Sequence, residues 1–303
     1  MHKQKALTQD THHQENLKEN FTNKSQDVTT YERYAGRNFN QLRPVSVTYD
    51  PFGYAAASVL LELGRTKVLC SISLNNSVPH FLKGSKTGWL TAEYAMLPTA
   101  TTMRTQRDST LFKSNGRSIE ISRFIGRSLR AVVNLGPLGE RTIHIDCDVL
   151  QADGGTRTAC ITAAYLALRC AVNRWLRNKT ILEDIITHDM AAVSVGIING
   201  VVLLDIDSSE DTKADADFNI VLTRDGKLIE IQGATESQPL EWSQFDIVRQ
   251  LAHHGVEELF EHVNEQRREH KKTELNSSNP EQQFSEEKKT ALFSLYNRIQ
   301  KNS

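Results

Sequence analysis

An α+β fold with mixed or antiparallel sheets and three long helices is the architecture this sequence predicts. Strands arrive in consecutive hairpins, three long stretches between them keep helical spacing, and the strand–helix alternation of a doubly wound sheet is missing. The 303 residues allow one large domain or two small ones, either able to bury a sizeable core.

The elements follow in chain order. Residues 1–32 are almost wholly polar, with Met1, Ala6, Leu7, Leu17, Phe21 and Val28 scattered among Lys, Gln, Asn and Asp, and predict a disordered extension. Residues 45–49 alternate apolar and polar, and Pro51-Phe52-Gly53 makes a turn. Residues 56–63 and 66–72 read as strands joined at Gly64-Arg65. Helical spacing covers 118–134, strict alternation covers 142–149, and a second helix covers 158–176. Residues 191–198 and 201–207 flank Asn199-Gly200, a strong two-residue hairpin signal. A further hairpin joins 218–223 to 228–232, and a third helix covers 243–263. A polar linker is expected from about 265 to 280. After it, Ser285 caps a short helix that places Leu292, Leu295, Tyr296 and Ile299 on one face. These readings divide the chain into an N-terminal extension (1–32), a patterned domain (33–264) and a polar C-terminal extension (265–303).

With 36 Lys and Arg against 37 Asp and Glu, the net charge is −1, which excludes a polyanion binder recognisable from bulk composition. Affinity for nucleic acid must come from a local patch. Cys70, Cys147, Cys160 and Cys170 are too few for a disulfide framework and lack metal-site spacing, so they predict small buried side chains in a reducing compartment. The longest apolar stretch, 191–204, is interrupted by Ser194, Gly196, Asn199 and Gly200 and does not suit a membrane span. No apolar segment follows the N-terminal lysines, as a secretory signal would require, and a cytoplasmic location is expected.

Three segments carry chemistry. At Asp153-Gly154-Gly155-Thr156-Arg157 a strand ends and a helix begins. Two glycines let the backbone turn sharply, the first helix amides are left unpaired, and Thr156 and Arg157 add a hydroxyl and a two-pronged cation. Such a corner suits phosphate or a phosphodiester; equally, it can be a plain turn with Arg157 paired to Asp153. Residues 99–141 hold eight basic residues (Arg104, Arg107, Lys113, Arg117, Arg123, Arg127, Arg130, Arg141) against three acids. In the helix of this region Arg123, Arg127 and Arg130 oppose the apolar Ile121, Ile125, Leu129 and Val132. The patch can gather an RNA backbone, or its helix arginines can be solvated or paired, as Arg123 could be with Glu120. Arg104, Arg107 and Arg117 stand in a polar loop and favour ligand contact. Finally, residues 205–217 carry six acids (Asp205, Asp207, Glu210, Asp211, Asp215, Asp217) and one lysine, able to hold Mg²⁺ or supply a general acid, or merely to form an acidic loop. An anion cradle, a basic loop and a carboxylate cluster together suit phosphoryl transfer.

With these residues in view, the chain resembles the ribonuclease PH family of phosphate-dependent exoribonucleases. The likeness is carried by Arg33-Tyr34-Ala35-Gly36-Arg37, Asn40-Gln41-Leu42-Arg43-Pro44-Val45, Gly64-Arg65-Thr66-Lys67-Val68-Leu69-Cys70, Phe81-Leu82-Lys83-Gly84 and Thr91-Ala92-Glu93-Tyr94-Ala95-Met96-Leu97-Pro98. It continues through the runs 150–157 and 191–200, and covers about residues 33 to 260. The resemblance implies a ribosomal protein S5 domain 2-like fold and a homohexamer built as a trimer of dimers. It further implies inorganic phosphate held by Arg117, Gly155, Thr156 and Arg157, catalysis and Mg²⁺ binding by Asp211 and Asp217, and RNA contact by Arg104 and Arg107. Arg123 and Arg127 join the RNA contacts through the basic patch. Partners implied are tRNA and other RNA 3′ ends, with no DNA and no membrane. Thr99 stands where an arginine commonly follows the proline, a departure that implies a looser grip on tRNA. The expected reaction is phosphorolysis of RNA 3′ ends to nucleoside diphosphates, reversible by RNA extension, with a possible part in rRNA processing. Competing readings are a non-catalytic RNA-binding ring subunit of the same fold, a polynucleotide phosphorylase (which needs two copies of this unit) and a two-metal hydrolytic nuclease.

Overall fold

The computed structural model describes residues 31–33, 36–107 and 116–277, with side chains up to residue 266. Tyr34 and Ala35, Asp108 and Lys113, nearly all of the expected N-terminal extension and the expected helix after Ser285 lie outside the described residues. A short first unit ends at Gly36, and a second, from Arg37 onward, holds the sheets, the helices and the cleft.

In that second unit a five-stranded sheet has the order β1-β2-β3-β5-β4, and a four-stranded one the order β7-β6-β8-β9. The first comprises β1 (Val45–Tyr49), β2 (Ala57–Leu63), β3 (Thr66–Asn75), β4 (Trp89–Met96) and β5 (Thr142–Gln151). The second comprises β6 (Met190–Ile198), β7 (Val201–Leu204), β8 (Ala216–Thr223) and β9 (Leu228–Thr235). All pairs are antiparallel except β4 and β5. A parallel pair needs a crossover, and helix α1 (Gly116–Arg130) lies within it, so the mixed α+β architecture contains one strand–helix–strand unit.

Helix α2 (Thr156–Arg177) packs against β2, β3 and β5 of one sheet and β6 and β8 of the other. Its position explains its composition. Ala159, Ala163, Ala164, Ala167 and Ala171 admit close approach, and its apolar side chains are buried around most of the helix. Strand β6 is likewise buried at every position, with α2 and the long helix α4 (Trp242–Ser277) both packed against it. Burying an apolar side chain fully is worth about 1.5–3 kcal/mol, and this shared core runs through both sheets. The cysteines are free: Cys70, Cys147 and Cys160 are buried and Cys170 half-buried. No described helix is long and apolar enough to cross a membrane.

Four local expectations are revised. Strand β4 carries no strand expectation in the sequence reading, although Leu90, Ala92 and Tyr94 do alternate inward; Ala92, Glu93 and Ala95 are poor strand formers and mask the signal. Helix α1 ends at Arg130 rather than Asn134. Strand β7 stops at Leu204, because Asp205 takes a left-handed conformation (φ 51°) and Asp207 caps a one-turn helix, α3 (Ser208–Asp211). Helix α4 runs to Ser277, into the stretch expected to be a linker. Part of the reason is Gln266. Its amide accepts from the Val47 N–H at 2.7 Å and donates to the Val45 carbonyl at 2.8 Å, tying the helix to the edge strand β1.

Candidate active site

The glycine corner is set by the backbone and by three side chains beneath it. Gly154 and Gly155 both have left-handed φ, +76° and +63°, and a Cβ on Gly154 would lie 2.6 Å from the Ile206 carbonyl oxygen. Only glycine fits there. Thr66 Oγ1 donates to the Gly154 carbonyl at 2.7 Å and accepts from the Asp153 amide at 3.0 Å. The buried Arg43 guanidinium donates to the carbonyls of Asp153 and Gly154 and, at 2.7 and 2.9 Å, to Asp205. Gly155 is the N-cap of α2 and offers no side-chain cap, so the helix opens on the cleft with its first amides uncapped.

The acidic segment divides into two groups. Asp205 accepts three hydrogen bonds from Arg43, including its backbone amide at 2.8 Å. Burial works to raise its carboxyl, but the charge and hydrogen bonds of Arg43 outweigh burial and hold it below the usual range. Asp207 and Glu210 form a capping box on α3, and Arg37 donates to Glu210 at 3.3 Å. Asp215 accepts from the Asn199 amide at 2.8 Å and from Ser237 at 3.1 Å. Those four acids build the fold. Asp211, at the end of α3, and Asp217, near the start of β8, instead line the cleft. Burial pushes both carboxyls above their ordinary range. The charge of Asp217 adds to this at Asp211, Glu236 adds to it at both, and Arg157 pulls the other way.

The cleft encloses about 490 Å³. Arg117 from the start of α1, Gly155, Thr156 and Arg157 from the corner, and Asp211 and Asp217 from the acidic segment all line it. Two arginines and a helix N-terminus suited to an anion therefore share the cleft with two carboxylates, drawn from three segments spread over about a hundred residues. Arg157 is not paired with Asp153: it donates to Glu120 at 3.1 Å, while Asp153 lies 3.8 Å from Arg65. Two carboxylates beside an anion site suit Mg²⁺, which takes one or two protein oxygens and completes its shell with substrate phosphate and water. Among the described residues no group of three or more His, Cys, Asp or Glu is placed to hold a metal by itself.

Outside the cleft, the basic patch is partly consumed by the fold. Arg127 is tied to Glu230 of β9, with Nε 3.1 Å from the carboxylate. Arg130 donates to the Leu90 carbonyl and stacks on Trp89, and Arg141 donates to the Leu138 and Thr180 carbonyls. Arg104, Arg107 and Arg123 are exposed, and Arg107 sits where its charge reaches Asp148. Sequence reasoning missed Ser194, Asn219 and Glu236, which also line the cleft. Ser194 stands singly in an apolar strand and Asn219 interrupts the apolar run of β8, where only three-dimensional pairing gives them meaning.

Both the sequence and the fold have counterparts among known proteins. The family model "3' exoribonuclease family, domain 1" matches residues 41–172 and domain 2 matches residues 189–255. The chain is 49% identical over 232 residues to the ribonuclease PH of Parasynechococcus marenigrum, covering 77% of this chain and 92% of that protein. It is 47% identical over 230 residues to the ribonuclease PH of Dehalococcoides mccartyi, covering 76% and 95%. In fold it is similar to a subunit of the Archaeoglobus fulgidus exosome solved with RNA in its active site (TM-score 0.64, 22% identity, 77% of this chain and 92% of that one). It is also similar to rice Rrp46 (TM-score 0.58, 19% identity, 72% and 92%).

Proposed function

This chain belongs to the ribonuclease PH family, and on that premise we propose how its cleft works. The protein is a phosphorolytic 3′-to-5′ exoribonuclease that trims tRNA precursor 3′ ends. Inorganic phosphate sits at the glycine corner, oriented by Arg117, Thr156, Arg157 and the first amides of α2. One of its oxygens forms a bond to the phosphorus of the last phosphodiester as the bond from that phosphorus to the 3′ oxygen of the preceding nucleotide breaks. The arginines offset charge on the transferring group, and one such preorganised donor is worth about 3–4 kcal/mol of barrier. A carboxyl of the Asp211–Asp217 pair delivers a proton to the departing 3′ oxygen, a role suited by the desolvation and neighbouring carboxylate charge that raise both pKa values. The products are a nucleoside diphosphate and RNA shorter by one nucleotide, and excess nucleoside diphosphate reverses the reaction, releasing inorganic phosphate. Asp211 and Asp217 would hold Mg²⁺, which when bound neutralises charge on phosphoryl oxygens.

The single observation carrying this reading is that the anion corner and the aspartate pair share one cleft. The same observation disfavours a non-catalytic ring subunit, since every group the chemistry needs is retained. RNA reaches the cleft past Arg104, Arg107 and Arg123, with Arg127 at the edge of the track. The working assembly is a homohexamer, a trimer of dimers, acting in the cytoplasm on tRNA and rRNA precursors and not on DNA or membranes. This reading rests on family likeness. Light scattering tests the assembly, and a monomer at working concentration overturns it.

Incubation with a 3′-extended tRNA, with and without phosphate, tests the chemistry. Phosphate-dependent release of nucleoside diphosphates is the expected result. Monophosphates released without phosphate would mean hydrolysis instead.

A further inference from the structure

Among the described residues, five buried side chains hold a polar atom without a hydrogen bond, and two of these, Ser194 Oγ and Arg157 Nε, belong to the cleft. Ser194 is 5% exposed, in the middle of a strand whose other side chains are apolar or glycine. It stands opposite Asn219 of β8, and its carbonyl accepts from the Asp205 amide at 2.7 Å. Its hydroxyl has no hydrogen-bond partner. A hydroxyl buried without a partner is costly, and a leucine or valine would fill a strand interior without that cost.

Gly155 explains what the hydroxyl faces. A Cβ built at Gly155 would lie 3.1 Å from Arg43 Nη2 and 3.4 Å from both Ser194 Oγ and Thr158 Oγ1, so the bare Cα of the corner leaves the Ser194 oxygen beside the uncapped start of α2. Arg157 enters the same space with Nη2 spent on Glu120 and Nε unspent. Two donors without partners and a helix N-terminus therefore belong to one cleft. An oxyanion satisfies all three at once.

We propose that the Ser194 hydroxyl donates a hydrogen bond to a non-bridging oxygen of the inorganic phosphate, fixing its rotation against the α2 amides while Arg157 Nε holds a second oxygen. This rests on the reading that the corner binds phosphate. The hydroxyl is neutral, so it supplies orientation and affinity for the small co-substrate and nothing for the RNA chain. Phosphate and RNA kinetics separate accordingly.

The experiment is steady-state phosphorolysis of a 3′-extended tRNA by the full-length protein, with phosphate and RNA varied independently. Ser194→Ala is expected to raise the KM for phosphate about tenfold, the size of one lost hydrogen bond to an anion, and to leave the KM for RNA unchanged. Ser194→Cys keeps the volume with a weaker donor and should fall between. If Arg157→Ala raises the KM for phosphate and Ser194→Ala does not, the role of Ser194 is overturned and the phosphate corner stands. If neither variant changes it, the corner itself is misassigned and the proposal falls with it. If Ser194→Ala fails to fold, the rise in Tm that phosphate gives wild type is compared with that of Ser194→Cys. A smaller rise in the variant supports the proposal, and an equal rise overturns it.

Discussion

Asp205 and Asp217 belong to one short acidic segment, the first buried and the second half-buried in the cleft, and their carboxyls are driven in opposite directions. Asp205 is clasped by Arg43 through its side chain and backbone amide and stays ionised. Asp217 lines the cleft with Arg157, Asp211 and Glu236, and desolvation and the charge of Glu236 raise its carboxyl. The difference teaches that burial by itself does not decide what a carboxylate does. A full set of donors makes it structure, and an incomplete set leaves it able to exchange a proton.

The comparison breaks most violently at Arg43. Arg43→Leu strands Asp205 as a buried charge and loosens the glycine corner, costing about 3–5 kcal/mol of stability; urea unfolding should show the midpoint falling sharply, with activity lost alongside. Asp217→Asn is the converse. It should lower kcat for phosphorolysis about a hundredfold or more while leaving Tm unchanged or slightly higher at neutral pH, since an ionised group with a raised pKa is a destabilising one. Parallel kinetics and calorimetry check both halves.

The pH dependence sharpens the same contrast. Asp205 and Asp207 have depressed pKa values, so their stabilisation is complete above the ordinary carboxylate pKa and is lost as pH falls through the depressed one. Acid unfolding below about pH 4 should therefore be blunted in Arg43→Leu. The Asp211–Asp217 pair acts in the opposite sense: phosphorolysis should decline as pH rises through its raised pKa, and Asp217→Asn should flatten that limb of the rate profile. Next in size is Gly154→Ala, which forces a side chain into a left-handed corner against the Ile206 carbonyl and should cost more than about 1 kcal/mol. The smallest effect belongs to the surface. Arg127→Ala loses a half-exposed ion pair worth less than about 1 kcal/mol. Arg104→Ala should leave Tm alone and reduce the salt dependence of tRNA binding by roughly one phosphate contact, as salt-titrated binding would show.

Much of this architecture was legible because hairpins and amphipathic helices are written locally. Asn199-Gly200 announced the β6–β7 turn, and alternation from Thr142 announced β5. The glycine corner and the aspartate pair were legible as residue types whose chemistry matches, with the family resemblance supplying which two of the six acids are assigned the chemistry. Strand β4 was not legible, because its Ala and Glu residues hide the alternation. Nor was the division of the acids, which depends on Arg43 arriving from more than 150 residues upstream. Ser194 was unreadable for a similar reason: one hydroxyl in an apolar run has no meaning until Gly155 is beside it.

Gln266 carries a consequence of another kind. Strand β1 ends its sheet, and an uncovered strand of that sort offers its amides and carbonyls to any extended chain that drifts past. By lending both halves of one carboxamide to Val45 and Val47, the far end of α4 occupies that template. This part of α4 thus serves as a guard against adventitious strand addition, keeping the sheet finite in a crowded cell.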